Sequence, residues 1–303
     1  MQANCILMKQ QTLKKEYHFS GKSLHTGVEV SVCLKPAGID TGILFVRRDL
    51  GKEIPARASM VTNTARSTQI GDGEAVVGTV EHILSAFTGL GIDNAIVEVS
   101  GPEMPILDGS SSVYVKAIMA DGLCVQDAER KYIDIQKPIV IENESGSRIE
   151  ITPADRPSID VVVDFSSEVL GVQTAHWDES VDYCTQIAPC RTFCFLHELE
   201  QLISCGLVKG GDVDNAIVVV EHPLSGERAD RICKLFDIEG IRPDKTGYLN
   251  NLELYFPNEC GRHKLLDIIG DMRLAGGYLN AHVKAYKPGH SINTRAALAV
   301  LEK

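Results

Sequence analysis

Two short stretches repeat within the chain, and that repetition constrains the fold more than any other feature. GIDNAIVEV at 91–99 and DVDNAIVVV at 212–220 share the core DNAIV. Both read as strands rich in β-branched residues, entered from an Asp-Asn turn. Each follows an amphipathic stretch. In VEHILSAFTGLG, Val80, Ile83, Leu84 and Phe87 fall at i, i+3, i+4 and i+7 of a helix. FLHELEQLISCGL precedes the second and ends on a glycine suited to a helix C-terminus. Each strand also leads to a further apolar-faced helix, VYVKAIMADG (113–122) and HKLLDIIGDMRLAGG (263–277). GVEVSVCLKPA (27–37) and SRIEITPA (147–154) alternate alike as half-buried strands. The expected fold is therefore α+β: two related domains, each combining a β-sheet with helices. The expected division is 1–131 and 132–303, joined near Glu129–Lys137, with a polar insertion around 221–262.

A chain of 303 residues can bury roughly three quarters of its extended surface, enough for two modest cores. The formal net charge of −11 argues against a general nucleic-acid binder, which needs a basic surface to displace counterions. The nine cysteines are an odd number, and no pair has CxxC spacing, so reduced thiols are expected rather than a disulfide framework. Cys190, Cys194 and Cys205 read as packing residues. MQANCILMKQQTLKK has only a brief apolar run and no small-residue cleavage site. No stretch approaches the roughly 20 apolar residues of a membrane span. A cytoplasmic protein without stable membrane insertion is expected.

His263 and Asp267 stand four residues apart, so on a helix they share one face and can bind one ion. Alone, this spacing more often marks a surface pair. Glu81-His82, at the start of the first half's helix, offers a third ligand with a carboxylate beside it. In AYKPGHSIN, His290 follows a Pro-Gly turn and is a candidate general acid. Other motifs fail. HELEQ has Gln201 where a zinc-protease helix needs histidine, Gly78 stands where an inverted HxxEH would need one, and Glu16 replaces the first glycine of a phosphate loop ending Gly21-Lys22-Ser23.

TVEH (79–82), RTF (191–193), HKLLDIIGD (263–271) and KPGH (287–290), with SGKSLHTG (20–27) and EMPILDGSS (103–111), occur in the order and spacing of one family. From about Met8 to its end the chain resembles the zinc-dependent UDP-3-O-acyl-N-acetylglucosamine deacetylases of lipid A biosynthesis. The resemblance implies two α+β sandwiches with the active site between them. It implies one Zn²⁺ per chain, held by His82, His263 and Asp267. It also implies Glu81 as general base, His290 as general acid oriented by Asp271, Thr192 as an oxyanion contact, and Lys264 in a supporting position. Two departures are Cys194, where many relatives have glycine, and a long segment before HKLLD.

The implied reaction hydrolyses the acetamide of UDP-3-O-(3-hydroxyacyl)-N-acetylglucosamine to a free amine and acetate, the committed step of lipid A biosynthesis. Substrate contacts are expected from Phe193, Lys264 and Lys287. Arg148 and Phe165 are expected to meet the nucleotide, and Phe195, Leu199, Ile203 and Leu207 to lie along the acyl chain. His25 and Asp108 lie in family segments without an assigned role. Zn²⁺, Lys264, Lys287 and protonated His290 would make one cleft locally positive in an acidic chain. Some family members continue into a hydroxyacyl-carrier-protein dehydratase domain, so a C-terminal fusion is one form the full-length protein can take. Two other functions stay open: a zinc amidohydrolase acting on a different N-acyl compound, and a binding protein for acylated nucleotide sugars with a degenerate site.

Overall fold

The computed structural model describes residues 8–198, 209–211, 215–223, 226–236, 246–249 and 252–302. After β1 (Lys9–Leu13), the first domain builds a five-stranded sheet. Its spatial order is β2 (Tyr17–Lys22), β3 (Glu29–Pro36), β9 (Ala95–Val99), β4 (Ile43–Arg47) and β5 (Lys52–Pro55). Only the β9–β4 pair is parallel. The second domain repeats this plan in the order β12 (Ile139–Glu142), β13 (Arg148–Pro153), β19 (Tyr278–Tyr286), β14 (Ser158–Asp164) and β15 (Val172–Asp178). Here the one parallel pair within that order is β19–β14. β11 (Tyr132–Asp134) adds a sixth strand, parallel to the start of β19. Strand order and direction thus match position by position, and the mixed α+β class is as expected from the sequence.

The helices complete the correspondence. α1 (Glu81–Leu90) precedes β9 as α5 (Glu259–Met272) precedes β19, and α2 (Ser112–Met119) follows β9 as α6 (His290–Leu301) follows β19. Among the described residues, α3 (Tyr183–Gln186) and α4 (Gly226–Phe236) also lie between β15 and α5. Each domain inserts a three-stranded sheet, before α1 in the first and before α5 in the second. These are β6 (Val61–Asn63), β7 (Gln69–Asp72) and β8 (Ala75–Val77) in the first, and β16 (Phe193–Phe195), β17 (Ile217–Val220) and β18 (Gly247–Tyr248) in the second.

The duplication is therefore real, but DNAIV does not mark it. Of 212–220, residues 212–214 lie outside the described residues. Ile217–Val220 pairs with Phe193–Phe195 and Gly247–Tyr248 in the inserted sheet, not in the large one. The true counterpart of β9 is β19, where Asn280-Ala281-His282-Val283 echoes Asn94-Ala95-Ile96-Val97. A buried β-branched run specifies a strand without specifying its sheet. The helix pairing shifts likewise: HKLLDIIGD matches VEHILSAF, whereas FLHELEQLISCGL falls mostly outside the described residues. The matched pair 27–37 and 147–154 does occupy equivalent strands, β3 and β13. Of the stretch 221–262, Gly226–Phe236 is α4, Gly247–Tyr248 is β18 and Glu259–Arg262 opens α5.

Alternating residues of the large sheets (Val32, Leu34 and Phe45; Ile159, Val161 and Val163) and the inner faces of α1 and α5 (Ile83, Leu84, Phe87; Leu265, Ile268, Ile269) join one continuous apolar core. α1 and α5 meet inside it. Gly270 permits that meeting, because a Cβ there would stand 2.0 Å from the Glu81 carbonyl oxygen. The chain passes from β10 (Leu123–Glu129), paired with β1, to β11 between Glu129 and Tyr132. We propose that the domain boundary lies there. No described helix is long and apolar enough to cross a membrane.

Candidate metal centre

The first turn of α1 buries Glu81 and His82, against the usual tendency of such residues to face water. α5 presents His263, Asp267 and Asp271 at i, i+4 and i+8, one stripe of its surface, and buries all three. Because Gly270 lets the two helices touch, the stripe faces the start of α1. The His82 and His263 rings stand edge to face, with centroids 5.1 Å apart. Asp267 Oδ1 lies 3.3 Å from His263 Nε2 and 3.9 Å from His82 Nε2. One ligand atom from each of the three residues lies within 4.8 Å of the others.

Two observations test whether these residues suit a metal ion. His263 Nδ1 sits 3.0 Å from the Cys190 carbonyl oxygen. A carbonyl only accepts, so the proton belongs on Nδ1 and the Nε2 lone pair is left for an ion. Asp267 Oδ2 accepts from Lys264 Nζ at 2.9 Å, but Asp267 Oδ1, also buried, accepts nothing among the described residues. A buried carboxylate oxygen without a donor is costly, and a cation among the three ligands removes that cost. Two imidazoles and a carboxylate are also a donor set that zinc takes in catalytic sites. The residues fit.

Electrostatics agree. Burial, then the neighbouring His263, depresses the His82 pKa, and burial also depresses that of His263, so both imidazoles are held neutral as ligands. Burial alone would raise Asp267, yet His263 and Lys264 hold it well below the usual carboxylate range.

Beside the three candidate ligands lie Glu81 and His290. Glu81 Oε2 accepts from the Thr68 backbone N–H at 3.0 Å, and its Oε1 lies 3.9 Å from His290 Nε2. His290 Nδ1 contacts Asp271 Oδ2 at 3.1 Å. Asp271 also accepts from Asn293 Nδ2 at 2.9 Å and from Thr68 Oγ1 at 2.6 Å. Burial, reinforced by Asp271 and Asp267, raises the Glu81 pKa. Burial would lower His290, but Asp271 and Glu81 outweigh it and raise it.

A cavity of about 350 Å³ opens over this group and is lined by Glu81, His82, Thr192, Phe193, His263, Lys264, Asp267, Lys287 and His290. Thr192 is fixed by its backbone, whose N–H donates to Gly109 O and whose carbonyl accepts from Ile217 N, both at 2.8 Å. Lys264 Nζ stands 5.3 Å from the centre of the Phe193 ring, and Lys287 Nζ lies 3.5 Å from Asp164 Oδ2. Phe165 packs edge-on against Phe193 and Phe195, at 5.1 and 6.0 Å between centroids. These rings line an apolar cluster with Leu170, Ile217, Val219 and Cys260.

The structure does not bring every expected residue here. Arg148 sits on the outer face of β13, pairs with Glu142 and Glu150, and lines a different cavity with His176 and Lys284, so it does not join Phe165. Leu199, Ile203 and Leu207, with Cys205, lie outside the described residues. Cys190 contributes its carbonyl rather than its thiol, and burial pushes the Cys194 thiol up to about 12. The His25 and Thr26 N–H groups donate to Glu103, which also accepts from Thr79 Oγ1, directly before the site. Asp108 accepts from the Ser110 N–H and hydroxyl. Two residues escaped the sequence reading. Asn293 follows His290 by three, so helical spacing could have revealed it, whereas nothing in the sequence marks Thr68.

A family model described as UDP-3-O-acyl N-acetylglycosamine deacetylase matches residues 10–232 and 239–302. The chain is 40% identical over 304 residues to the UDP-3-O-acyl-N-acetylglucosamine deacetylase of Saccharophagus degradans, covering 98% of this chain and 91% of that protein. It is also 40% identical to the enzyme of that name from Pseudomonas entomophila, covering 95% of this chain and 89% of that protein. Against the bifunctional enzyme LpxC/FabZ of Porphyromonas gingivalis it is 40% identical over 96% of its own length, but spans only 64% of that relative. The match runs through both sheets and every residue of the centre: the chain belongs to the UDP-3-O-acyl N-acetylglycosamine deacetylase family.

Proposed function

We propose that the protein is a zinc-dependent deacetylase. It would release acetate from the acetamide of a UDP-3-O-acyl-N-acetylglucosamine, the lipid A step implied by the family. One observation carries the reading: Glu81 and His290, 3.9 Å apart, share a buried cavity with the His82–His263–Asp267 trio. A zinc ion held by the trio supplies a Lewis acid for the amide carbonyl and acidifies water.

The chain's own residues do the rest. Glu81, held by the Thr68 N–H, takes the proton of the attacking water at a carboxylate oxygen. The Thr192 hydroxyl, at the cavity wall, donates toward the oxygen that gains negative charge. His290, steadied at Nδ1 by Asp271, gives its Nε2 proton to the departing amine, which leaves poorly as an anion. Lys264 and Lys287 offer positive charge to the diphosphate, and the Phe165–Phe193–Phe195 cluster offers an apolar wall to the acyl chain.

The test incubates zinc-loaded protein with UDP-3-O-acyl-N-acetylglucosamine and follows acetate. Release that a chelator suppresses and zinc restores is expected. Tight binding without release would leave a binding protein instead. Release only from other N-acyl compounds would make it a different amidohydrolase, and release indifferent to the chelator would remove the metal.

A further inference from the structure

A second convergence of metal-binding atoms lies on the first sheet, away from this centre. His18 and Cys33 are directly opposed in the β2–β3 hairpin, so their side chains share a face. Glu16 stands two residues before His18 and points the same way. Cys33 Sγ lies 3.7 Å from Glu16 Oε2 and 4.0 Å from His18 Nε2, and those two atoms are 3.8 Å apart. Val32 and Leu34 flank Cys33 and join the apolar core, which places the trio on the other face of the sheet.

We propose that Glu16, His18 and Cys33 form a second divalent-cation site, with zinc the ion its chemistry fits. A tetrahedral zinc with ordinary bond lengths spaces its sulfur, nitrogen and oxygen ligands roughly 3.3–3.6 Å apart. The observed separations exceed that by a few tenths of an ångström, a gap that a small rotation of two surface side chains closes. Thiolate, imidazole and carboxylate together favour zinc over the hard cations magnesium and calcium. Cys33 is 2% exposed and forms the floor. The His18 and Glu16 side chains are 72% and 53% exposed, so an ion reaches them from solvent.

The nearby cation does not block the site. Lys35 is held by Glu98 at 2.8 Å and approaches only the other oxygen of Glu16, Oε1, at 4.0 Å. Beside the trio a concavity of about 220 Å³, bordered by Ser31 and Arg48, leaves room for a water as fourth ligand. When the ion binds, the Cys33 S–H bond breaks, the sulfur keeps the electron pair for the metal and the proton goes to solvent.

The His82–His263–Asp267 centre contains no sulfur, so cobalt distinguishes the sites. The reduced, metal-stripped full chain is titrated with Co²⁺, and the near-ultraviolet thiolate-to-cobalt charge-transfer band is followed. The band is expected in the unaltered chain and in His263→Ala, and absent in Cys33→Ser. In His18→Ala, a surface change that leaves the fold intact, the apparent affinity should fall at least about tenfold. No charge-transfer band, a band that survives Cys33→Ser, or full affinity in His18→Ala would each overturn the site.

Discussion

Asp267 concentrates the argument at the scale of single residues. One of its oxygens accepts a hydrogen bond from Lys264, and the other, also buried, has no donor among the described residues. In the proposed mechanism its neighbours divide the remaining work, with His82 and His263 supplying lone pairs and Glu81 and His290 handling protons. Replacing Glu81 by Gln keeps the volume and the contact with Thr68 but removes the base. The expected result is a kcat lower by about 10²–10⁴ with metal content unchanged. Near-normal turnover in Glu81→Gln would remove that assignment. The i, i+4 spacing of His263 and Asp267 made half of the centre legible from the sequence. His82 lies 181 residues before His263; the sequence offered it as a third ligand at a helix start, and TVEH among the other family segments is what tied it to the pair. Thr68 was not legible, since its partner Asp271 is 203 positions away and no periodicity links them.

At the scale of elements, α1 and α5 build the centre by touching, and Gly270 allows the touch. Gly270→Ala would set a methyl 2.0 Å from the Glu81 carbonyl and force the helices apart. Overpacking of this kind costs about 1–3 kcal/mol. The denaturation midpoint should fall accordingly and metal affinity with it, because His82 and the α5 ligands would separate. An unchanged midpoint would show that the contact is slack. The pattern of apolar residues revealed that elements exist and of which kind, as β3 and β13 show. It could not reveal which strand joins which sheet: Ile217–Val220 is even richer in β-branched residues than Ala95–Val99 yet belongs to the small inserted sheet. Pairing is a property of contacts distant in sequence, and β19 carries His282 and Lys284 where β9 carries Ile96 and Glu98, which hides the kinship.

At the scale of the molecule, two copies of one sheet plan share a single core and hold the centre between α1 and α5. The junction has its own fastening. Arg130, just before β11, pairs with Asp93 at 2.9 Å and stacks on the Tyr278 ring at 4.2 Å; Arg273 approaches the same ring at 4.3 Å and donates to the carbonyls of Ile92 and Asp93. Arg130→Ala leaves Asp93 buried beside an empty space, and breaking a buried pair in this way costs about 3–5 kcal/mol. A chemical-denaturation loss below about 1 kcal/mol would mean that the junction is held elsewhere. The net charge of −11 is consistent with an anionic ligand, since Lys264 and Lys287 line the cavity while the excess acid lies elsewhere on the chain. The most direct test of the central claim is anomalous diffraction at the zinc absorption edge, from crystals grown of protein that turns over. The account predicts a peak within bonding distance of His82 Nε2, His263 Nε2 and Asp267 Oδ1. Active crystals with no zinc peak among those three atoms would contradict it.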